Sequence, residues 1–327
     1  MPEFKSILKK ELSNFLEVRE KSVTGDYTYQ HDCYILSHFD NYLCCNDCTD
    51  KSVTESEING WIDTIDGKSS TKAAYVTLIR SFFKQLITLG YHPFVPAPYK
   101  VNDDYIAYLY SEEEISRIFD LADTLSLSSI KYPYLRYEFP VILRLLYSCG
   151  LRLGEVTQLM LKDVNFDEGI LFIKKAKNKK QRYVPMHNEM TKILYKFCLR
   201  LGNASHADAF VFPGVDMYHE LPSYMIKNKF TVLKKMAGIY NPDYEPYERE
   251  ACLHCFRHKF AFESFKQGEA QGWNSLDQVP WLSIYLGHNS LDETQKYLKF
   301  SFDMYPEAMD LFENYSESIF PEVHLND

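Results

Sequence analysis

Four short segments of this 327-residue chain concentrate ionisable and nucleophilic side chains. Arginine is always charged and can bind an anion at two points, and histidine can move protons near neutral pH. A tyrosine hydroxyl, with a pKa of about 10, needs local help before it can act as a nucleophile. Each residue alone could be structural, so its meaning depends on its neighbours in space. The segments are GLRLGE (150–155), KNKKQRYVP (177–185), HCFRH (254–258) and LGHNSLDETQKY (286–297).

The order and spacing of these segments resemble the motifs of the tyrosine recombinases, also called phage integrases. In the last segment a tyrosine follows a histidine by nine residues, as in that family. The resemblance implies a mainly α fold with a small β-sheet or hairpin. Residues 1–107 resemble a helical, SAM-like core-binding DNA-binding domain with its linker. Residues 108–300 resemble the α+β catalytic domain of tyrosine recombinases.

The resemblance implies that Arg152 and Arg257 bind the scissile phosphate of DNA and that Tyr297 attacks it. A phosphodiester under attack gains negative charge on its non-bridging oxygens, which two guanidiniums can stabilise. The product would be a 3′-phosphotyrosine and a free 5′-hydroxyl, and the ester would keep the energy for rejoining. No cofactor, nucleotide or metal is therefore expected. Taken alone, Arg152 would equally suit an ion pair with Glu155 at a helix start.

Three further residues complete the catalytic set that the resemblance implies. His254 is placed for general acid–base work on the tyrosine proton, and His288 for a hydrogen bond to the phosphate. Lys177 matches the hairpin lysine that protonates the leaving 5′-hydroxyl. The register of Lys177 stays open because other lysines lie close to it in the sequence, namely Lys174, Lys175 and Lys179.

The implied activity is site-specific DNA recombination, as integration or excision of a mobile element or as resolution. The chain would bind double-stranded DNA and would act as a tetramer of identical copies on two DNA sites. Some systems of this family also use accessory DNA-bending or directionality proteins. Little sequence precedes the first domain, which favours a two-domain, Xer-like or transposon-borne member. Two alternatives stay open: a type IB topoisomerase-like nicking-closing enzyme, and a catalytically inactive DNA-binding protein.

The charge distribution is uneven along the chain. The net charge is −9, but residues 1–107 carry −4, residues 108–300 carry +2 and residues 301–327 carry −7. For each of two basic runs, 174–182 and 227–235, a solvated face is the usual explanation. The runs could also hold phosphates although the whole chain is acidic, because at about 0.15 M salt the Debye length is only about 8 Å. The sequence has no secretory signal and no apolar run of about 18 residues, which predicts a cytoplasmic, nucleoid-associated protein without membrane contact.

The eight cysteines are expected to be thiols, because the predicted compartment is reducing. Cys252 and Cys255 form a C-x-x-C around His254, for which a redox or metal role is the less favoured alternative. A second group lacks the paired spacing of a zinc site, and whether it binds metal stays open. That group is Cys33, Cys44, Cys45 and Cys48.

Apolar stripes and capping residues predict that the first hundred residues are helical. Thr54 with Glu57 forms a capping box ahead of one helix, and Gly90 ends another. Prolines between 93 and 98 then predict a linker. The first three predicted helices cover 3–19, about 29–43 and about 54–62, and a fourth runs over about 70–89.

The second domain is predicted to combine helices with a hairpin. Ser111 with Glu114 opens a helix to about Leu125, and an apolar helix from Phe139 stops at Gly150. The sequences at 169–174 and 182–186 have strand character, with a lysine-rich turn between them.

Three segments of the second half are not explained by the motifs. Segments 241–250 and 267–280 are longer than the family's usual loops, and their roles stay open. Residues 301–327 are acidic with an apolar stripe, which predicts an amphipathic helix that exchanges between protomers.

Overall fold

Helices form most of the described chain, with one small antiparallel sheet, as the sequence predicted. The computed structural model describes residues 2–22, 26–101, 108–125, 129–174, 181–240, 250–288 and 290–295. The contacts divide the chain into two compact units, Met1–Tyr105 and Ile106–Asp327. No helix within the described ranges combines the length and apolar character needed to cross a membrane.

The described residues of the first unit form four helices around one aromatic-rich core. Phe39, Trp61 and Phe82 are completely buried, and the rings of Phe39 and Trp61 meet edge to face at 5.2 Å. The predicted capping box of Thr54 and Glu57 is present, with both reciprocal hydrogen bonds. The helices are α1 (Lys9–Ser22), α2 (Asp26–Cys45), α3 (Glu55–Asp63) and α4 (Ser69–Thr88).

The first helix begins at Lys9, six residues later than the apolar stripe predicted. The Asp40 carboxylate accepts hydrogen bonds from the backbone N–H groups of Lys5 and Ser6, at 2.8 and 3.0 Å. These bonds hold the preceding segment outside the helix, because its amides are satisfied by α2 instead. Ile7, which belonged to the predicted stripe, is consequently 41% exposed.

The second unit has eight helices within the described residues, one 3₁₀ turn and three strands. The capping box of Ser111 and Glu114 is confirmed. The elements are α5 (Glu112–Thr124), α6 (Leu135–Cys149), α7 (Leu153–Thr157), the 3₁₀ turn Leu161–Asp163, β1 (Val164–Asn165), β2 (Ile170–Ile173), β3 (Arg182–Pro185), α8 (Asn188–Leu201), α9 (Ser223–Met236), α10 (Leu253–Ala270), α11 (Ser275–Leu286) and α12 (Asp292–Gln295).

The predicted hairpin is the pair β2–β3, in which Ile173 lies opposite Arg182 and Leu171 opposite Val184. The short strand β1 adds to the other edge of β2, giving the order β1-β2-β3. Alternation along β3 buries Arg182 and Val184 and leaves the residues between and after them exposed. An arginine therefore points inward from the strand that follows the lysine-rich turn.

The segment 267–280 is mostly helical. It forms the end of α10 and the start of α11, and only residues 271–274 connect the two helices. Asn274 caps α11 by accepting the backbone N–H of Leu276 at 2.8 Å. Most of this segment therefore belongs to two packed helices and not to a loop.

Glycines follow the last residues of α6 and α11. Gly150 after α6 and Gly287 after α11 have positive φ angles of 58° and 66°. A side chain at Gly150 would also collide with the Phe260 ring, at 2.5 Å. Both positions therefore favour glycine.

Candidate functional site

Arg257 lies on α10 and is 1% exposed. Its Nη1 donates to the carbonyl of Gly150 at 2.9 Å, and its Nη2 donates to the carbonyl of Leu286 at 2.6 Å. These carbonyls lie at the C-terminal ends of α6 and α11, where helix carbonyls lack intrahelical partners and the helix dipole favours a cation. The guanidinium is thereby held in place by two helix ends.

Arg152 precedes α7 and approaches the same carbonyl. Its Nη1 lies 3.5 Å from the Leu286 oxygen and 3.2 Å from Oε1 of Glu155. Its backbone N–H donates to Oε2 of Glu155 at 2.9 Å. The ion pair that the R-x-x-E spacing suggested is therefore present. Because Arg152 and Arg257 share the Leu286 carbonyl as an acceptor, the two guanidiniums lie close together. The Arg152 side chain is 19% exposed.

Glu155 is bound more tightly by Arg182 than by Arg152. Arg182 donates from both Nη atoms to the two Glu155 oxygens, at 2.9 and 2.8 Å, and from Nε to the Tyr285 carbonyl at 2.6 Å. Burial alone would raise the pKa of Glu155, but the hydrogen bonds and charges of Arg182 and Arg152 hold it below its usual value. The carboxylate thus stays ionised between two arginines.

Sequence reasoning missed Arg182 as a member of the site. The sequence contained a signal for this role, since Arg182 is two residues before the apolar Val184 and so lies on the same face of the predicted strand. An arginine on the buried face of a strand requires a buried carboxylate as its partner. Arg182 belongs to the basic run 174–182, but its buried ion pair with Glu155 removes it from the residues of that run that could contact solvent or phosphate. Lys234 of the second basic run is likewise buried, where it donates to Glu250 at 2.7 Å and to the Ala251 carbonyl at 2.6 Å.

His288 lies beside the arginines, directly after Gly287, and is 6% exposed. Its Nδ1 lies 2.6 Å from Oγ1 of the buried Thr294. Burial, followed by the charges of Arg257, Arg152, His254 and Arg182, lowers the pKa of His288 to about 3. The ring is therefore neutral at physiological pH, and one of its nitrogens can donate a hydrogen bond without adding charge.

His254 lies in the first turn of α10 and is exposed at the surface. It precedes Arg257 by three residues on one helix, so the two side chains share a face. Its ring meets the buried His258 ring edge to face at 4.7 Å. The charge of His254 also contributes to the lowered pKa of His288.

The structure therefore brings Arg152 and Arg257 together at the Leu286 carbonyl, and the charges of both arginines and of His254 act on His288. Lys177, between β2 and β3, and Tyr297, after α12, lie outside the described residues. The described part of the chain holds no group of three His, Cys, Asp or Glu residues that could bind a metal ion. All eight cysteines are free, and Cys44 and Cys45 are exposed.

The buried, neutral His288 predicts a pH-dependent stability. The unfolded chain binds a proton near pH 6.5 that the folded chain does not bind until about pH 3. Stability is therefore fully present above pH 6.5 and is lost as the pH falls through this window, by up to about 1.4 kcal/mol per pH unit. Between pH 7 and 5, urea unfolding should show the wild type losing about 2 kcal/mol more than His288→Asn.

The surface histidine His206 provides the control for this measurement. His206→Asn should keep the wild-type dependence, since that side chain is exposed. Equal pH slopes for the wild type and His288→Asn would contradict the burial of a neutral imidazole.

Comparison with known proteins places the chain in a family. Residues 109–303 match the phage integrase family. The Sinorhizobium fredii protein y4rB, named as an integrase/recombinase, is 31% identical over 210 residues, which are 62% of this chain and 64% of that protein. The chain thus spans less than two thirds of that relative. Tyrosine recombinase XerD of Rickettsia bellii is 24% identical over 306 residues, covering 88% of this chain and 92% of the relative.

A solved structure shares the fold. The XerH site-specific recombinase bound to its difH substrate, in a post-cleavage complex, aligns with a TM-score of 0.71 at 15% identity, over 93% of this chain and 95% of XerH. The chain belongs to the phage integrase family, the tyrosine recombinases.

Proposed function

We propose that the protein is a site-specific DNA recombinase that breaks and rejoins DNA through a 3′-phosphotyrosine at Tyr297. The observation that carries the proposal is the convergence of Arg152 and Arg257 on one carbonyl, beside a neutral His288. Two fixed cations and a neutral donor suit a phosphodiester, whose charge grows as it is attacked.

Each member of the cluster has a role in this proposal. Arg152 and Arg257 stabilise the non-bridging oxygens, and because Glu155 and two helix ends already hold them, little reorganisation is needed during the reaction. His288 donates a hydrogen bond to the same phosphate. His254, exposed at the start of α10, exchanges the proton of the attacking phenol. The ester retains the energy of the broken bond, so rejoining needs no nucleotide, metal or other cofactor.

The proposed partners are double-stranded DNA and further copies of the chain. Residues 1–107 would hold the duplex as a core-binding domain, and residues 108–300 would carry out catalysis as a tetramer on two sites. We place this activity in the cytoplasm, at the nucleoid, with accessory DNA-bending proteins in some reactions. Exposed lysines on α9, Lys227 and Lys235, are suited to backbone phosphates.

A nicked duplex tests the chemistry. If the duplex carries a target site with a nick close to the scissile phosphate, the short 5′-hydroxyl strand diffuses away after cleavage and the protein stays covalently attached. We expect a DNA–protein adduct that survives denaturing gel electrophoresis and maps to Tyr297. A protein that binds the duplex but forms no adduct would favour the inactive DNA-binding alternative.

Two target sites in one reaction separate recombination from DNA relaxation. We expect exchanged products when two duplexes of different length each carry a site. Relaxation of a supercoiled plasmid without exchange would instead favour the topoisomerase-like alternative.

Lys177→Ala should slow cleavage of ordinary DNA and have much less effect when sulfur replaces the 5′-bridging oxygen. A thiolate leaves without a proton, so the general acid becomes unnecessary. Cleavage rates of both substrates by Lys177→Ala and Lys179→Ala measure this effect. Rescue by sulfur in Lys179→Ala alone would show that Lys179, and not Lys177, is the acid.

Truncation after Lys299 should leave a protein that binds single sites but does not join two of them. In sequence, residues 301–327 combine an apolar stripe with acidic residues, and we propose that they pack on a neighbouring protomer. A cavity of about 470 Å³ between α10 and α11 offers an apolar receiving surface, where Trp273 and Trp281 are 54% and 69% exposed.

Sedimentation of the full-length and truncated proteins on site DNA measures this assembly. Trp281→Ser should weaken it as truncation does, while Tyr218→Ser, which removes another exposed aromatic ring, should not. Unchanged assembly after truncation would contradict the exchange. Loss of folding on truncation would show that the segment packs on its own protomer.

A further inference from the structure

The two cysteines at the start of α10 lie in contact with each other. Their Sγ atoms are 3.5 Å apart, and the backbone N–H of Cys252 lies 3.4 Å from the Cys255 Sγ. Together the thiols form a capping box, in which each side chain accepts from the other residue's backbone N–H. A disulfide has an S–S distance of about 2.05 Å, so the sulfurs need to approach by about 1.5 Å.

The two thiols differ in access. Cys252 is exposed, whereas Cys255 is buried beneath it with 1% exposure. Cys252 lines a cavity of about 420 Å³ together with His254, Lys234 and Phe230. A small reagent can therefore reach the Cys252 sulfur directly, and Cys255 only through Cys252.

The two thiols also differ in charge state. The hydrogen bond from Cys255, then the backbone N–H groups of His254 and Cys255, and the Lys234 charge lower the pKa of Cys252 to about 6. The hydrogen bond to Cys252, together with burial, raises the pKa of Cys255. Cys252 is thus the more readily deprotonated of the two thiols, and Cys255 holds its proton more strongly.

We infer that Cys252 and Cys255 form a reversible thiol–disulfide pair, in which the exposed Cys252 reacts with a low-molecular-weight disulfide and the buried Cys255 resolves the adduct. In the first step the Cys252 thiolate attacks one sulfur of the reagent, forms a mixed disulfide and releases one thiolate. In the second step the Cys255 sulfur loses its proton, attacks Cys252 Sγ and releases the second thiolate. Starting from the Cys252 thiolate, the protein loses two electrons and the Cys255 proton, and the reagent leaves as two thiolates, which take up protons from the solution.

Oxidation of this pair should affect DNA cleavage, because the two cysteines lie next to residues of the site. This expectation rests on the proposed function. Cys252 and Cys255 flank His254, and Arg257 follows two residues later on the same helix. Drawing the sulfurs together should alter the first turn of α10, which carries His254 and leads directly into Arg257. A displacement of about 1 Å can reduce catalysis by about 100-fold. Oxidation should therefore reduce DNA cleavage at least 10-fold, and dithiothreitol should restore it.

Oxidised glutathione provides the test on the full-length protein. After incubation, digestion and mass spectrometry, the wild type should contain a Cys252–Cys255 disulfide. Cys255→Ser should stop at a glutathione adduct on Cys252, and Cys252→Ser should show neither product at this position. Cys45→Ser, which removes an exposed cysteine outside this pair, should behave as the wild type does.

The two readouts separate the chemistry from its effect on cleavage. Failure of Cys252 to react under conditions that modify the exposed Cys45 would overturn the thiol pair, whether or not the protein cleaves DNA. Formation of the disulfide with unchanged DNA cleavage would overturn the regulatory consequence alone. If the reduced protein forms no adduct with nicked DNA, the proposed function fails, and the mass measurement still decides the thiol chemistry.

Discussion

Tyr297→Phe is expected to abolish strand cleavage while leaving the affinity for site DNA nearly unchanged. The phenol oxygen is the atom that forms the bond to phosphorus, so its removal leaves no nucleophile at this position. The loss of cleavage should reach about 10⁴-fold or more, as for other nucleophile deletions. A single hydroxyl contributes little to the binding of a duplex held mainly through many phosphate contacts. Adduct formation with nicked DNA and gel-shift titration measure the two properties separately.

Tyr305→Phe is the matched control, because it removes the same atom from a tyrosine eight residues further along the chain. It should cleave DNA at the wild-type rate. Loss of DNA binding in step with cleavage in Tyr297→Phe would assign Tyr297 a structural role. Loss of cleavage in Tyr305→Phe alone would identify Tyr305 as the nucleophile.

Arg152→Ala should reduce cleavage by about 100-fold or more, because it removes about 3 kcal/mol or more of transition-state stabilisation. The fold should survive, since Glu155 keeps its two hydrogen bonds from Arg182. Arg152→Lys should restore little activity, because an ammonium group cannot bind the phosphate at two points. Single-turnover cleavage, together with thermal unfolding of the same samples, measures both effects.

Arg257→Ala should reduce cleavage to a similar extent but is a less specific test. It would leave the Gly150 and Leu286 carbonyls without the Arg257 donors, at a cost of about 1–3 kcal/mol for each buried group left unsatisfied. A loss of activity in Arg257→Ala could therefore come from the missing contact with phosphate, from the lower stability of the fold, or from both.

Arg144→Ala is the control for arginine removal. Arg144 forms a two-point ion pair with Asp123 near the surface, and its loss should leave cleavage unchanged. Full activity in Arg152→Lys would contradict the proposed two-point contact with phosphate.

The sequence by itself determined the local features of this protein. The capping boxes at Thr54 and Ser111 and the β2–β3 hairpin were predicted correctly. The capping boxes depend on residues three positions apart, and the hairpin pairs two strands that follow one another in the sequence, so local sequence largely specifies both. The four motifs also identified the family, because their order along the chain is a property of sequence alone.

Only the tertiary structure decided how the site is held together. Arg257 binds a carbonyl 107 residues earlier, and Arg182 binds a carboxylate 27 residues earlier. No local pattern specifies such partners, because they depend on how helices and strands pack. The start of α1 depends in the same way on Asp40, and the neutral state of His288 on burial among three arginines. The C-x-x-C spacing was visible in the sequence. The contact between its sulfurs, with one exposed and the other buried, came from the packing of α10, because burial is a property of the folded chain.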